Sequence, residues 1–96
     1  MTSLRNPRTK LESEIVAEAH EYAILRGWWT IKVDTPTCDG VPDRLYLRRG
    51  VYVWIEWKKP GGPLSAKQKK RIREMREHGA TVYVFDNLED AKAVLR

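Results

Sequence analysis

The strongest constraint in this sequence is a pair of short apolar-rich runs that only two residues separate. Residues 44–48 and 51–58 are rich in β-branched and aromatic side chains, and Arg49-Gly50 lies between them. A two-residue loop that ends in glycine is typical of a tight β-hairpin, because glycine readily adopts the positive φ that such a turn requires. Paired residues then have numbers that sum to 99, which places Asp43 opposite Glu56.

The predicted hairpin brings charged side chains together on one face. Side chains alternate along a strand, so Asp43 shares a face with Glu56 and Lys58. Directly opposed residues have Cβ atoms about 4.5 to 5.5 Å apart, and two carboxylates at that separation repel unless positive charge lies between them. A divalent cation together with the Lys58 ammonium would supply this charge, and oxygen ligands suit Mg²⁺ or Mn²⁺. Metal-assisted phosphoryl hydrolysis uses such a set of groups. An isolated E-x-K triplet is equally typical of a surface ion pair between Glu56 and Lys58.

The remaining segments predict an α/β domain with the element order αβββαβα. Apolar residues recur at helical spacing before Gly27, and strand-like runs cover residues 28–33 and 81–85. Ser65 is a good N-cap for a helix that runs to about residue 78, and a short final helix covers residues 88–95. A strand, helix and strand in one sheet imply a right-handed crossover, so we expect the fourth strand to lie parallel to a neighbour, the third strand being the best candidate. The first helix depends on Leu11, Ile15, Val16, Ala19, Tyr22 and Ala23.

Composition limits the class of protein and its partners. The 96 residues make a single domain, which we expect to span residues 11–96 behind a flexible basic tail of residues 1–10. A net charge of +5 favours a polyanion such as nucleic acid, although many small proteins are basic for solubility alone. We find no apolar stretch of membrane-spanning or secretory type, which predicts a cytoplasmic protein without a membrane partner. The single cysteine, Cys38, and two distant histidines argue against a disulfide or a zinc site.

Three motifs together resemble one nuclease family. Gly40-Val41-Pro42-Asp43 followed by Ile55-Glu56-Trp57-Lys58 is similar to the PD-(D/E)XK nuclease superfamily, and the run GGPLSAKQ at residues 61–68 resembles its VRR-NUC family. The resemblance covers residues 11–94 and implies a restriction-endonuclease-like core, a mixed central sheet flanked by helices. It also implies that Asp43, Glu56 and the carbonyl of Trp57 bind the metal, and that Lys58 is catalytic.

The same resemblance implies a glutamate on the first helix and a glutamine on the second. Glu12 lies three and four residues before Ile15 and Val16 and so extends the inward face, whereas Glu14 falls on another face. We therefore assign Glu12, for which a simple first-turn acid that favours the helix dipole is the competing interpretation. Gln68 lies on the stripe of Ile72, where a buried amide needs a partner. An ordinary boundary position is the alternative for Gln68.

Basic residues follow the second helix and predict a track for DNA phosphates. A solvated helix face paired with Glu74 and Glu77 is the competing interpretation. Four tryptophans offer stacking surfaces for unpaired bases, but their strand positions favour a core role for at least two. The predicted nucleic-acid-binding residues are Lys67, Lys69, Lys70, Arg71 and Arg73.

These features predict a Mg²⁺- or Mn²⁺-dependent DNA endonuclease without a small-molecule cofactor. From the resemblance to the VRR-NUC family we expect a nicking or structure-selective enzyme of replication, repair or recombination. Stand-alone domains this short resemble those carried by phages. A catalytically silent DNA-binding module of the same fold and an RNA-directed nuclease are the alternatives. Since one small domain carries a single metal site, action on two strands favours a homodimer.

Overall fold

The computed structural model describes residues 11–96 and contains three helices and four strands in the predicted order. The predicted tail of residues 1–10 lies outside the described residues. Within residues 11–96, no helix is long and apolar enough to cross a membrane. The elements are α1 (Glu12–Leu25), β1 (Trp29–Lys32), β2 (Arg44–Arg48), β3 (Val51–Trp57), α2 (Ala66–Glu77), β4 (Val82–Phe85) and α3 (Leu88–Leu95).

The hairpin between β2 and β3 forms in the predicted register. Arg49 and Gly50 have φ values of 50° and 79°, and positive φ at both central residues is the signature of a type I′ turn. Arg44 pairs with Ile55 and Arg48 with Val51, so the numbers of paired residues sum to 99 as expected. The two sequence-derived strands were therefore correct, apart from Lys58, which follows the end of β3.

The sheet has the order β1-β2-β3-β4 and is mixed. β1, β2 and β3 pair antiparallel, and β4 pairs parallel to β3 after the crossover through α2, as predicted. Ser65 caps the start of α2, because its side chain accepts a hydrogen bond from the Gln68 N–H. Gly79 follows the end of the helix and has a φ of 93°, which is typical of a glycine that terminates a helix. The predicted fold class is confirmed.

Helices α1 and α3 cover one face of the sheet, which we call the core face. Trp28 closes this layer, because its indole N–H donates a hydrogen bond of 2.8 Å to the carbonyl of Leu95 in α3. Trp28 and Trp57 are both buried, so two tryptophans belong to the core as expected. The buried core residues are Ile15, Ala19, Ala23, Trp28, Tyr46, Val53, Ile55, Trp57, Phe85, Ala91 and Leu95.

Helix α2 lies on the opposite face of the sheet, which we call the α2 face. Its single buried residue is Ile72, and Arg76 ties the helix to β4 through two hydrogen bonds, of 2.6 and 3.2 Å, to the carbonyl of Val82. The helix therefore covers β4 and, through the contact of Gln68 with Glu56, the end of β3 on this face. The part formed by β1, β2 and the start of β3 is left open, with Trp29 57%, Ile31 43% and Tyr52 58% exposed.

Candidate active site

The two predicted carboxylates meet where the β2–β3 hairpin opens toward α2. Asp43 directly precedes β2, and its carbonyl accepts a hydrogen bond of 2.8 Å from the N–H of Val33, which extends the β1–β2 pairing by one residue. Glu56 lies in β3 beside Ile55, the partner of Arg44, so continuing the register places it opposite Asp43. Side-chain alternation then puts both carboxylates on the α2 face.

A glutamine from α2 joins the glutamate and the lysine of β3. The Lys58 ammonium donates a hydrogen bond of 2.7 Å to Oε1 of Gln68, and Nε2 of Gln68 donates one of 3.3 Å to Oε2 of Glu56. Lys58 Nζ also lies 3.6 Å from the same Glu56 oxygen. The three side chains thus form a closed triangle of polar contacts, in which the half-buried amide of Gln68 has a partner at each end.

Gln68 is held in place by the start of its own helix. Its Oε1 accepts a second hydrogen bond, of 2.9 Å, from the N–H of Ser65, while its own N–H donates to Oγ of Ser65 at 3.1 Å. This reciprocal pair is a capping box. This orientation satisfies both ends of the amide, because Oε1 accepts from two N–H donors and Nε2 donates to a carboxylate. The helix cap and the candidate site therefore share one side chain.

Burial raises the pKa of both carboxyl groups, and the charge of Asp43 adds to the rise at Glu56. The pKa of Glu56 rises to about 7, mainly because burial disfavours its charged form and also because of the charge of Asp43. The Lys58 ammonium opposes this rise by charge and hydrogen bonding. Burial likewise raises the pKa of Asp43, against the N–H of Trp57 and the charges of Arg44 and Lys32. The Lys58 ammonium therefore offsets only part of the rise in the pKa of Glu56.

This environment fits a divalent cation. Within residues 11–96, Oδ1 of Asp43 is buried and has no hydrogen-bond partner, and Glu56 is only 5% exposed. A cation between the two carboxylates would favour the charged form of each and so oppose the effect of burial on their pKa values. The same residues contain no group of three or more acidic, histidine or cysteine ligands. Mg²⁺ and Mn²⁺ suit two carboxylates, because such ions keep several waters and share substrate phosphate oxygens.

Glu12 borders the site from the first turn of α1. It is exposed and lies one turn before the buried Ile15, and its charge contributes to the raised pKa of Glu56. Glu14 instead accepts a hydrogen bond of 3.2 Å from the N–H of Leu11. The charge of Glu12 thus acts on Glu56, in agreement with the choice of Glu12 as the glutamate beside the site.

Gly40 is a residue whose role the sequence interpretation missed. It has a φ of 81°, and a Cβ at this position would collide with the backbone of Lys67 and lie 3.0 Å from the nitrogen of Gln68. The loop that carries Asp43 therefore packs directly on the first turn of α2. The glycine of the Gly-Val-Pro-Asp motif was the available signal, because only glycine combines this φ with so close an approach.

The basic residues of α2 differ in how far they are already paired. Lys67 forms an ion pair of 3.0 Å with Asp39, and Arg71 bonds to Glu74 at 2.8 Å and to the carbonyl of Asp39 at 3.1 Å. Arg73 lies 3.9 Å from Glu77. The competing interpretation of a paired helix face thus applies to Arg71 and Arg73. Within residues 11–96, no ion pair engages Lys69 or Lys70, which are both exposed.

Comparison with known proteins gives one consistent result. The model of the VRR-NUC domain family matches residues 8–87. A solved structure described as a VRR_NUC domain superposes with a TM-score of 0.79 at 25% sequence identity, covering 86% of this chain and 91% of that one. A second, described as a VRR_NUC domain protein, has a TM-score of 0.76 at 16% identity and covers 91% and 86%. No curated protein matches the chain.

Proposed function

This chain belongs to the VRR-NUC family, and on that premise we propose that it is a metal-dependent DNA endonuclease centred on Asp43, Glu56 and Lys58. The domain is of a nuclease type that acts on DNA, and nucleases of this type typically use divalent metals. The observation that carries the proposal is the triangle of Glu56, Gln68 and Lys58 beside the half-buried carboxylate of Asp43.

In this proposal Asp43 and Glu56 hold Mg²⁺ or Mn²⁺, and the carbonyl of Trp57 adds a ligand. Such an ion lowers the pKa of a coordinated water and stabilises negative charge that develops on phosphate. The cation would favour the charged form of both carboxylates, because it offsets the effect of burial on their pKa values and the effect of the Asp43 charge on that of Glu56.

Lys58 acts on the phosphate or on the attacking water. An ammonium group has three N–H donors, of which Gln68 takes one, so donors remain for a reacting oxygen. Gln68 is the positioning residue, because it orients Lys58 and Glu56 from a rigid helix start. Glu12 approaches from α1 and adds a carboxylate near the same centre. Lys69 and Lys70, which no ion pair engages within residues 11–96, supply the phosphate track. Lys67, Arg71 and Arg73 join it where phosphate replaces their acidic partners.

Two alternatives have distinct signatures. A catalytically silent DNA-binding module has no use for buried acids whose pKa values are raised, since their burial costs stability without metal. An RNA-directed nuclease would use the same centre but would cut RNA in preference to DNA of the same sequence.

The test is cleavage of a panel of linear, flapped, bubble and four-way-junction DNAs, and of matching RNAs, with Mg²⁺ or Mn²⁺. We expect metal-dependent nicking of branched DNA, and Asp43→Ala and Glu56→Ala should lose both cleavage and calorimetric Mn²⁺ binding. Asp34→Ala removes an exposed loop carboxylate and serves as the matched control. Unchanged Mn²⁺ binding in both site variants would remove their ligand roles, and wild-type protein that bound but never cut any substrate would support the silent module.

We further propose that the working unit is a homodimer, because cutting two strands of a branched substrate needs two sites in a fixed relation. The end of α1 offers an apolar surface away from the site, with Ile24 51% exposed and Leu25 77% exposed. Light scattering at micromolar concentration should give twice the chain mass of 11.2 kDa. Leu25→Glu should then yield a monomer. A wild-type monomer that cuts both strands of a junction in one encounter would contradict the dimer.

A further inference from the structure

The part of the α2 face that α2 leaves open carries side chains in rows that cross β1, β2 and β3. Antiparallel partners share a face, so one row joins Trp29, Leu47 and Tyr52, and the next joins Ile31, Leu45 and Trp54. The third row contains Asp43 and Glu56, the candidate metal ligands. We call the six apolar residues of the first two rows the open strip: Trp29, Ile31, Leu45, Leu47, Tyr52 and Trp54.

The open strip has large apolar side chains that are more than two-fifths exposed. Trp29 is 57% exposed, Tyr52 58% and Ile31 43%, and none of the six residues is fully buried. Helix α2 covers β4 and the end of β3 that carries Glu56, so it leaves Trp29, Ile31 and Tyr52 of the strip exposed. A contiguous apolar patch of this kind on a soluble domain marks a binding surface.

The strip leads directly to the candidate active site. Successive side chains on one face of a strand are about 6.6 to 6.8 Å apart, so Trp54 lies about 7 Å and Tyr52 about 13 Å along β3 from Glu56. Basic residues of α2 also lie on this face of the sheet: Lys67, Lys70 and Arg71 line a cavity of about 380 Å³ together with residues 36–39. Basic groups for phosphates and exposed rings for bases thus lie on the same side of the sheet as the two carboxylates.

We propose that the open strip is a stacking platform for unpaired bases of a single-stranded DNA segment that adjoins the scissile phosphate. The proposal rests on the proposed nuclease function and names its substrate class: branched DNA whose single strand leaves the duplex at the cut. Exposed tryptophan and tyrosine rings suit this role, because every base has a π-face and stacking needs no particular sequence.

Bases fit this surface better than a second copy of the chain does. A protein partner docked on the strip would lie within one row of Asp43 and Glu56 and would obstruct the approach of a phosphate. The end of α1 offers Ile24 and Leu25 for pairing without that obstruction. The chain also has a net charge of +5, and none of the six strip residues is acidic.

The experiment compares two labelled oligonucleotides of equal length, a poly-dT strand and a matched strand whose central nucleotides are abasic. Affinities are measured by fluorescence anisotropy in EDTA, so that cleavage does not contribute. We expect the wild type to prefer the strand with bases, and Trp29→Ala or Tyr52→Ala to weaken that binding on the order of tenfold each. Affinity for the abasic strand should stay the same, and Trp29→Phe should keep most of the preference.

Val51→Ala is the matched control, because Val51 precedes Tyr52, is 54% exposed and points to the opposite face. Equal wild-type affinity for both strands would overturn the platform, as would alanine variants that lose affinity for both strands equally. Variants that become monomeric but keep their preference for bases would identify the strip as a subunit interface. Selective base binding without metal-dependent cleavage would reject the nuclease proposal alone, and cleavage without base preference would reject the platform alone.

Discussion

The two faces of the sheet are built from the same strands but differ in what they tolerate. On the core face, Tyr46, Val53, Ile55 and Trp57 are buried under α1 and α3. On the α2 face, one helix covers only part of the surface. This face carries the buried carboxylate of Glu56 and the exposed rings of Trp29 and Tyr52. In β3 the two environments alternate residue by residue, with Glu56 between Ile55 and Trp57.

This difference separates stability from function within one strand. Ile55 and Trp57 contribute burial of apolar surface, which stabilises the fold. Glu56 is almost as buried, but its raised pKa shows that its charged form is disfavoured there. A group retained at such a cost to stability is a candidate functional residue. Substitutions on the core face should therefore change stability, and those on the α2 face should change activity.

The largest expected effect is on catalysis. Lys58→Ala should lower the cleavage rate by about 10³-fold, because a positioned lysine acts only in the transition state. DNA affinity and the thermal unfolding midpoint should stay close to those of the wild type. The exposed neighbour Lys59 gives a matched control, and Lys59→Ala should cut normally. A Lys58→Ala variant with full activity would end the catalytic assignment.

The matched change on the core face should act on stability instead. Ile55 has no exposed surface, and Ile55→Ala should lower the free energy of unfolding by about 2 to 5 kcal/mol through lost burial and a residual cavity. Chemical denaturation measures this loss, and the folded fraction should retain metal-dependent cleavage. Val51→Ala in the same strand should cost far less, because Val51 is 54% exposed. Equal losses would contradict the assignment of the core face.

An intermediate effect should appear in the pH dependence of metal-free protein. The pKa of Glu56 is about 7 in the fold against 4.5 ordinarily, so the fold favours the protonated acid. The contribution of protonated Glu56 to the stability of the fold is therefore fully present below pH 4.5 and is lost as the pH rises through about 7. Calorimetry in EDTA should show a falling unfolding midpoint across this range. Glu56→Gln should flatten the fall and Mn²⁺ should reverse it for the wild type; parallel curves for both proteins would refute this account.

The smallest expected effect concerns the salt dependence of DNA binding. Replacement of both Lys69 and Lys70 by glutamate should flatten the slope of log affinity against log salt, because each lost phosphate contact removes about 0.9 from it. Lys92→Glu on α3 is a control of the same charge type. An unchanged slope in the double variant would remove α2 as the phosphate track and would favour the basic residues before Leu11.

The sequence determined what local rules control. The two-residue turn at Arg49-Gly50 set the hairpin register, which placed Asp43 opposite Glu56. Ser65 and Gly79 bounded α2, because capping and positive φ depend on one or two residues. The parallel β4 followed from the handedness of a crossover.

The tertiary structure decided what depends on packing between distant segments. Alternation shows that Trp28 and Trp29 face opposite ways, but only the docking of α1 and α3 determines that Trp28 is buried and Trp29 exposed. The contact of Gly40 with Lys67 sets how close the Asp43 loop lies to α2. The close packing of the Asp43 loop on α2 and the hydrogen bonds from Arg76 to the Val82 carbonyl in β4 together determine which part of the α2 face the helix covers. These contacts join residues far apart in sequence, and no local periodicity specifies them.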